Sequence, residues 1–434
     1  MLKIANFRRF VICGLLGLIL TGVVSCLKSP NTKAPQLEFW TMQLQPKFNT
    51  YFKDAIGTFE VANPGIKVHW VDVPWGAMQG KIQAAMGAKT APDVVNLNPD
   101  FAIQLAARNA WLNLDPVLTK GESKEYLPSI WQAGTLDGKA FSFPWYLTSN
   151  ITIYNQELFA KAGIVKPPTT YQELAQTAKQ IKEKTGKYAF FTTFVPEDTN
   201  DVLESLVQMG VQLVDKQGKA AFNTPAGKAA FQYWVDLYKQ GLLPKESLTQ
   251  GHQQGIQLYQ SGETAMLFAG APFIDTIAKN APQIANVSAV APQISGQTGK
   301  KGVAVMNLVI PRTTKMPDAA VKFALFITNA TNQLAFAQAS DTLPSNVQAV
   351  TDYTTKLASG NDKSAIAQGK SIGAQQLAQS EILIPPLKNL NVLKKAIYDN
   401  LQAAMLGEKT VEQAVASAAT TWDAGKYEIG ILVR

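Results

Sequence analysis

The chain has 434 residues, 46% of them hydrophobic, a formal charge of +8, two cysteines and two histidines. That leaves no Cys/His spacing for a structural metal and no Lys/Arg-rich run to suit a nucleic acid. The length also exceeds the roughly 250–300 residues at which one core stops growing, so two lobes are expected.

Lys3, Arg8 and Arg9 precede an uncharged apolar run, Phe10 to Val24, closed by Ser25-Cys26. A basic start, a short apolar core and a small residue at the cut are the order of a secretory signal. The run is 15 residues, short of the roughly 20 that span a bilayer. Val23-Val24-Ser25-Cys26 resembles a bacterial lipobox, although Leu is commoner at the first position. The resemblance implies a signal over 1–25, a lipid on Cys26 and a tether over 26–35 (SPNTKAP within it). Acyl chains on Cys26 would hold a soluble domain at the membrane. An ordinary signal peptide or a retained anchor helix is the alternative. Cys13 lies in the apolar run, so cleavage leaves a body with no other cysteine and no disulfide. Loss of the three basic residues leaves 37 basic against 32 acidic residues, a mild +5.

In chain order, Gln36–Thr41 and Ile66–Val73 read as strands, rich in β-branched and aromatic residues. So do 92–96, 150–154, 187–193, 264–268 and 303–310. Helices alternate with them, which argues α/β. Thr170 and Glu173 form a capping box ahead of an apolar stripe, Tyr171, Leu174, Ala175, Ala178 and Ile181, that Gly186 ends. Thr224-Pro225 opens a second helix, whose buried face carries Phe231, Trp234, Val235 and Tyr238, and Gly241 stops it. Thr410 and Gln413 open a third, with Trp422 behind. These aromatic stripes read as core.

Several segments, in order, resemble the bacterial extracellular solute-binding proteins of the maltose and glycerol-phosphate type. They are Leu37-Glu38-Phe39-Trp40-Thr41; Ala91-Pro92-Asp93-Val94-Val95 with Trp111-Leu112-Asn113-Leu114; Phe143-Pro144-Trp145-Tyr146 with Ile153-Tyr154-Asn155 and the Pro167 to Glu173 helix start; Ser261 to Met266; Gly302 to Pro311; Leu343-Pro344-Ser345; and Gly407, Thr410, Glu412, Ala414 and Trp422. The resemblance covers nearly the whole mature chain. It implies a two-lobed α/β periplasmic-binding-protein fold of type II (the Venus-flytrap arrangement), with discontinuous lobes and a hinge of crossing strands. Expected boundaries are 36–146 plus 268–328 for the first lobe and 147–267 plus 329–434 for the second, with crossings near Trp145 to Ser149, Phe268 and Thr328.

A sugar presents hydroxyls at its edges and C–H patches on its faces, so its pocket needs flat aromatic surfaces and planar polar groups. In open α/β sheets ligands sit beyond the carboxyl ends of strands. The residues in such loops are Trp40, Gln43, Trp75, Asn98, Asp100, Trp145, Tyr146, Phe194, Glu197 and Phe268. His69 reads as a strand residue and His252 as a surface loop residue. Neither stands in a nucleophile-elbow context. Gly369-Lys370-Ser371 ends like a phosphate-binding loop, but Ser364 stands where its first Gly is required.

The resemblance implies the substrate-binding component of an ABC importer, with no cofactor and no catalysis. It would act as a monomer in the periplasm or cell envelope, capturing a sugar or sugar-like solute and delivering it to a permease. A glycerol-phosphate binder and a lipid-anchored glycan-processing enzyme are the alternatives. Capture would proceed by hinge closure, of which periplasmic binding proteins are themselves a standard instance.

Overall fold

A computed structural model of the chain describes residues 36–428 apart from 120 and 385. The signal, the tether and Cys26 lie outside the described residues. The strands in chain order are β1 (Gln36–Met42), β2 (Lys67–Val73), β3 (Val94–Leu97), β4 (Thr135–Leu136), β5 (Lys139–Ala140), β6 (Ser142–Asn155), β7 (Met266–Gly270), β8 (Ser288–Pro292), β9 (Lys301–Val309), β10 (Leu343–Pro344) and β11 (Ser380–Glu381).

Strand β6 decides the architecture. Its first half, 142–149, pairs antiparallel with β9, and β9 continues through β3 and β1 to β2. Its second half, 150–155, pairs instead with β7 and β8. One strand of 14 residues therefore belongs to two sheets, and the chain passes between lobes along it. Pro144 has no N–H for the ladder, and the register of β6 against β9 shifts between Pro144 and Tyr146. A proline inside a sheet is tolerated at such a bulge.

The first-lobe core gathers around Phe39, Phe52, Phe143, Trp145, Phe323 and Phe336. Strand β1 lies between two parallel neighbours, which is why Phe39 to Met42 are all buried instead of alternating. The second-lobe core gathers around Phe159, Phe190, Phe231, Trp234, Tyr398 and Trp422. Strands β7 and β8 join β6 in the second lobe, and the helix Ala330–Ser340 places Phe336 in the first-lobe core. The lobes therefore exchange chain between 293 and 301 and again between 341 and 381.

Local caps form as expected. Thr170 accepts from Glu173 N–H, Thr224 from Gly227 N–H, and Thr410 and Gln413 satisfy each other's backbone N–H groups. The segment 187–193 is not a strand. Beyond a single bridge from Tyr188 to Thr264 it is irregular. Its end is held away from the sheet by Phe194 N–H, which donates to Ser247 O.

Candidate functional site

A cavity of about 110 Å³ opens on the second-lobe side of the crossing strands. Its aromatic walls are Tyr171, Phe190, Phe191, Trp234 and Phe268, and its polar lining includes Asn150, Thr192, Thr193, Asp201, Glu204, Ser205, Gln208, His252 and Gln293. Each wall has a local origin. Tyr171 is the first residue of the helix Tyr171–Thr185, and Trp234 projects from the helix Pro225–Lys239. Phe268 stands in β7, its ring 5.8 Å from Phe190. Thr192 and Thr193 come from the irregular 187–193 segment, so the residues that leave the sheet are the ones that reach the cavity.

The helix Asp201–Gln208 supplies the polar floor. Gln208 Nε2 donates to Ile294 O and Lys300 O, and its Oε1 accepts from Tyr171 Oη at 2.5 Å. Trp234 Nε1 donates to Ser205 Oγ, which donates on to Val202 O. These bonds fix a rigid wall. His252 opens the helix His252–Gln260, and its Nδ1 lies 2.7 Å from Asp198 Oδ1. Gly251 precedes it, and a Cβ there would run into the Asp198 carboxylate. His252 is exposed as expected, and it stands at the cavity edge in the first turn of a helix, held by Asp198.

Electrostatically the cleft is acidic. Burial pushes the Asp201 carboxyl up, with Thr199, His252 and Lys394 pulling it back. Solvent touches Asp201 although protein surrounds it, which is the geometry of a cleft floor. Burial, then the charges of Asp201 and Asp100, push Glu204 up to about 8. Burial raises Asp100, opposed by Lys394 and Asn200 of the second lobe. Asp100 therefore faces across the cleft from the first-lobe helix Pro99–Ala106. No Lys or Arg lines the cavity.

The ten residues singled out from sequence fall in different places. Phe268 lines the cavity and Asp100 faces it. Trp75 is 45% exposed at the start of the helix Trp75–Gly87, its N–H on Gln43 Oε1. Gln43 sits at φ 54° in that turn. Asn98 caps the 99–106 helix through Phe101 N–H. Glu197 is exposed. The others are core. Trp145 and Phe194 are wholly buried, and Trp40 and Tyr146 nearly so. Trp145 stacks 5.0 Å from Phe336, because the bulge at Pro144 turns it inward. Trp40 Nε1 donates to Glu38, with the Lys81 ammonium 4.3 Å over its ring. Tyr171, Trp234, Asp201, Glu204 and Gln208 were not singled out. The first two read as helix stripe, and nothing local distinguishes the others from surface residues.

Two lobes joined by a crossing strand, with an aromatic, hydrogen-bonding cavity at the crossing, define a cleft-type solute-binding protein. The chain belongs to the bacterial extracellular solute-binding protein family, whose model matches residues 43–334. It is similar to a crystal structure of a putative oligosaccharide periplasmic-binding protein from Synechococcus sp. MITs9220 in complex with zinc. The two are 41% identical over 90% of this chain and 98% of that one, with a TM-score of 0.85. A cyclic alpha-maltosyl-1,6-maltose binding protein from Arthrobacter globiformis shares the fold at 20% identity, covering 90% and 98% of the two chains, with a TM-score of 0.77. Among curated relatives, the diacetylchitobiose binding protein DasA of Streptomyces coelicolor is 24% identical over 67% of this chain and 69% of its own. The sn-glycerol-3-phosphate-binding periplasmic protein UgpB of Brucella abortus is 31% identical, over 42% of this chain and 45% of its own.

Proposed function

We propose that the protein captures a neutral polyhydroxyl solute, a mono- or oligosaccharide, between its lobes and delivers it to an ABC permease. It would do so as a monomer at the cell envelope, held to the membrane by a lipid on Cys26. The observation that carries this reading is the cavity lining: aromatic faces for sugar C–H surfaces, carboxylates and threonines for hydroxyls, and no Lys or Arg. The putative oligosaccharide-, cyclic alpha-maltosyl-1,6-maltose- and diacetylchitobiose-binding relatives support the same solute class. The likeness to UgpB supports a glycerol-phosphate ligand, but an anion facing the acidic cleft of Asp100 and Asp201 meets like charge.

Calorimetric titration of the chain truncated at Cys26 tests this. The panel is glucose, maltose, sucrose, trehalose, glucosylglycerol, glycerol-3-phosphate and spermidine. One saturable neutral sugar is expected. Its affinity should fall up to about tenfold in Phe268→Ala, as loss of an aromatic contact of about 0.5–1.5 kcal/mol requires. Binding of glycerol-3-phosphate or spermidine alone would sink the sugar assignment. Turnover of a chromogenic glycoside would move the protein to the enzyme class.

A further inference from the structure

Glu204 lies in the first turn of the 201–208 helix, partly buried, and faces the cavity. Its neighbours on that wall have committed their hydrogen bonds to the protein. Gln208 holds Tyr171 and two backbone carbonyls, Ser205 links Trp234 to Val202, and Asp201 accepts from Thr199. Among the described residues none donates a hydrogen bond to the Glu204 carboxyl. The carboxyl presses on β9, where a Cβ at Gly302 would stand 2.7 Å from Glu204 Oε2. Glu204 is therefore a group built into the wall with its bonding capacity unspent.

The charged and titratable groups around it are mostly acidic. Asp201 stands one turn back on the same helix, and Asp100 faces it from the first lobe. The Tyr171 and Tyr398 phenols lie within its field. The nearby cations are engaged elsewhere. Lys394 donates to Asp198 O and is drawn to Asp100, Asp198 and Asp201, while His252 is held by Asp198. On β9's side Lys300 pairs with Glu381, and burial is the one influence on the Lys301 ammonium.

We propose that Glu204 donates a hydrogen bond from its carboxyl group to the bound solute, so that capture takes place with a proton held in the cleft and loss of that proton weakens the grip. An ionised carboxylate only accepts, whereas a protonated one both donates and accepts. That gives an alcohol a donor as well as an acceptor on one wall. Burial, with Asp201 on the same helix and Asp100 across the cleft adding like charge, pushes Glu204 up to about 8, so Glu204 is the carboxyl that holds a proton near neutral pH. Lobe closure removes water and holds the proton more firmly. The inference rests on the cleft being the solute site as proposed above.

The test titrates the sugar that gives saturable heat in that panel against wild type, Glu204→Gln and Glu204→Ala between about pH 6 and 9.5. Wild-type affinity should be level at the acid end and fall above roughly pH 8, by no more than about tenfold per pH unit. Glu204→Gln, which donates at every pH, should show a level profile and bind more tightly than wild type at the alkaline end. Glu204→Ala should bind more weakly throughout. Parallel profiles for wild type and Glu204→Gln would overturn the proposal.

Ligand-free melts give a second arm. A carboxyl raised in the folded state costs stability once the pH passes its unfolded pKa, and the cost grows until the folded pKa is reached. The Tm gain of Glu204→Gln should therefore grow between about pH 5 and 8, and a pH-independent difference would overturn the proposal. Silence from every sugar would sink the solute reading, while these melts decide the held proton by themselves.

Discussion

Trp145 and Trp234 are both buried aromatic residues, yet one packs wholly into a core while the other, a core residue too, also walls a cavity. The difference lies outside their own segments. Pro144 forces a bulge that turns Trp145 toward Phe39, Phe52 and Phe336. Trp234 sits on a helical stripe like any core residue, and only the irregular path of 187–193 leaves space beside it. An apolar period records that a face is covered, not what covers it. Hence the cleft-side placement of Phe268 and Asp100 was legible in the sequence, while that of Tyr171 and Trp234 was not. Trp145 is a stability residue in this structure. Trp145→Ala should cost about 3–5 kcal/mol in denaturant unfolding. Trp145→Phe should cost far less, because it also removes an indole N–H that has no partner among the described residues. A Trp145→Ala protein of wild-type stability would contradict the packing described.

Element starts and stops were the most legible features. A cap is a contract between residues three or four apart, so Thr170, Thr224 and Thr410 announce their helices without tertiary help. The crossing is the opposite case, since it is held by a residue far away in sequence. Gln293, nearly buried, accepts from Gly302 N–H and donates to Gly302 O and Ser149 Oγ, while its own N–H donates to Gln376. One residue thus ties β6 and β9 through its side-chain amide and the helix Ala365–Gln376 through its backbone N–H. Nothing in the stretch Ala291-Pro292-Gln293-Ile294 signals this. Gln293→Ala strands the Gly302 N–H and C=O and should destabilise by about 2–5 kcal/mol in denaturant unfolding. A loss under about 1 kcal/mol would mean that water replaces the amide. Gln293→Glu keeps the acceptor side and should fall between wild type and Gln293→Ala.

At the scale of the molecule, capture depends on how often the lobes are closed, because a solute bridging both lobes binds only that fraction. The structure shows contacts that join the lobes without any solute. Asp100 of the first lobe lies in the field of Lys394 in the second. Asp137, at the turn of the first-lobe hairpin β4–β5, meets Lys388, just ahead of the second-lobe helix Leu390–Met405, at 2.6 Å. Both partners of the second pair are more than half exposed, so water and salt screen it and it contributes at most about 1 kcal/mol. That still shifts a closing equilibrium up to about fivefold. Asp137→Lys should therefore lower solute affinity by up to about fivefold and raise the radius of gyration of the solute-free protein in X-ray scattering. Lys388→Glu alone should do the same, and the double exchange should restore both values, with the whole effect fading at about 1 M salt. If the double exchange leaves affinity as low as either single change, the pair does not hold the lobes together, and closure rests on the acidic cleft and its solute alone.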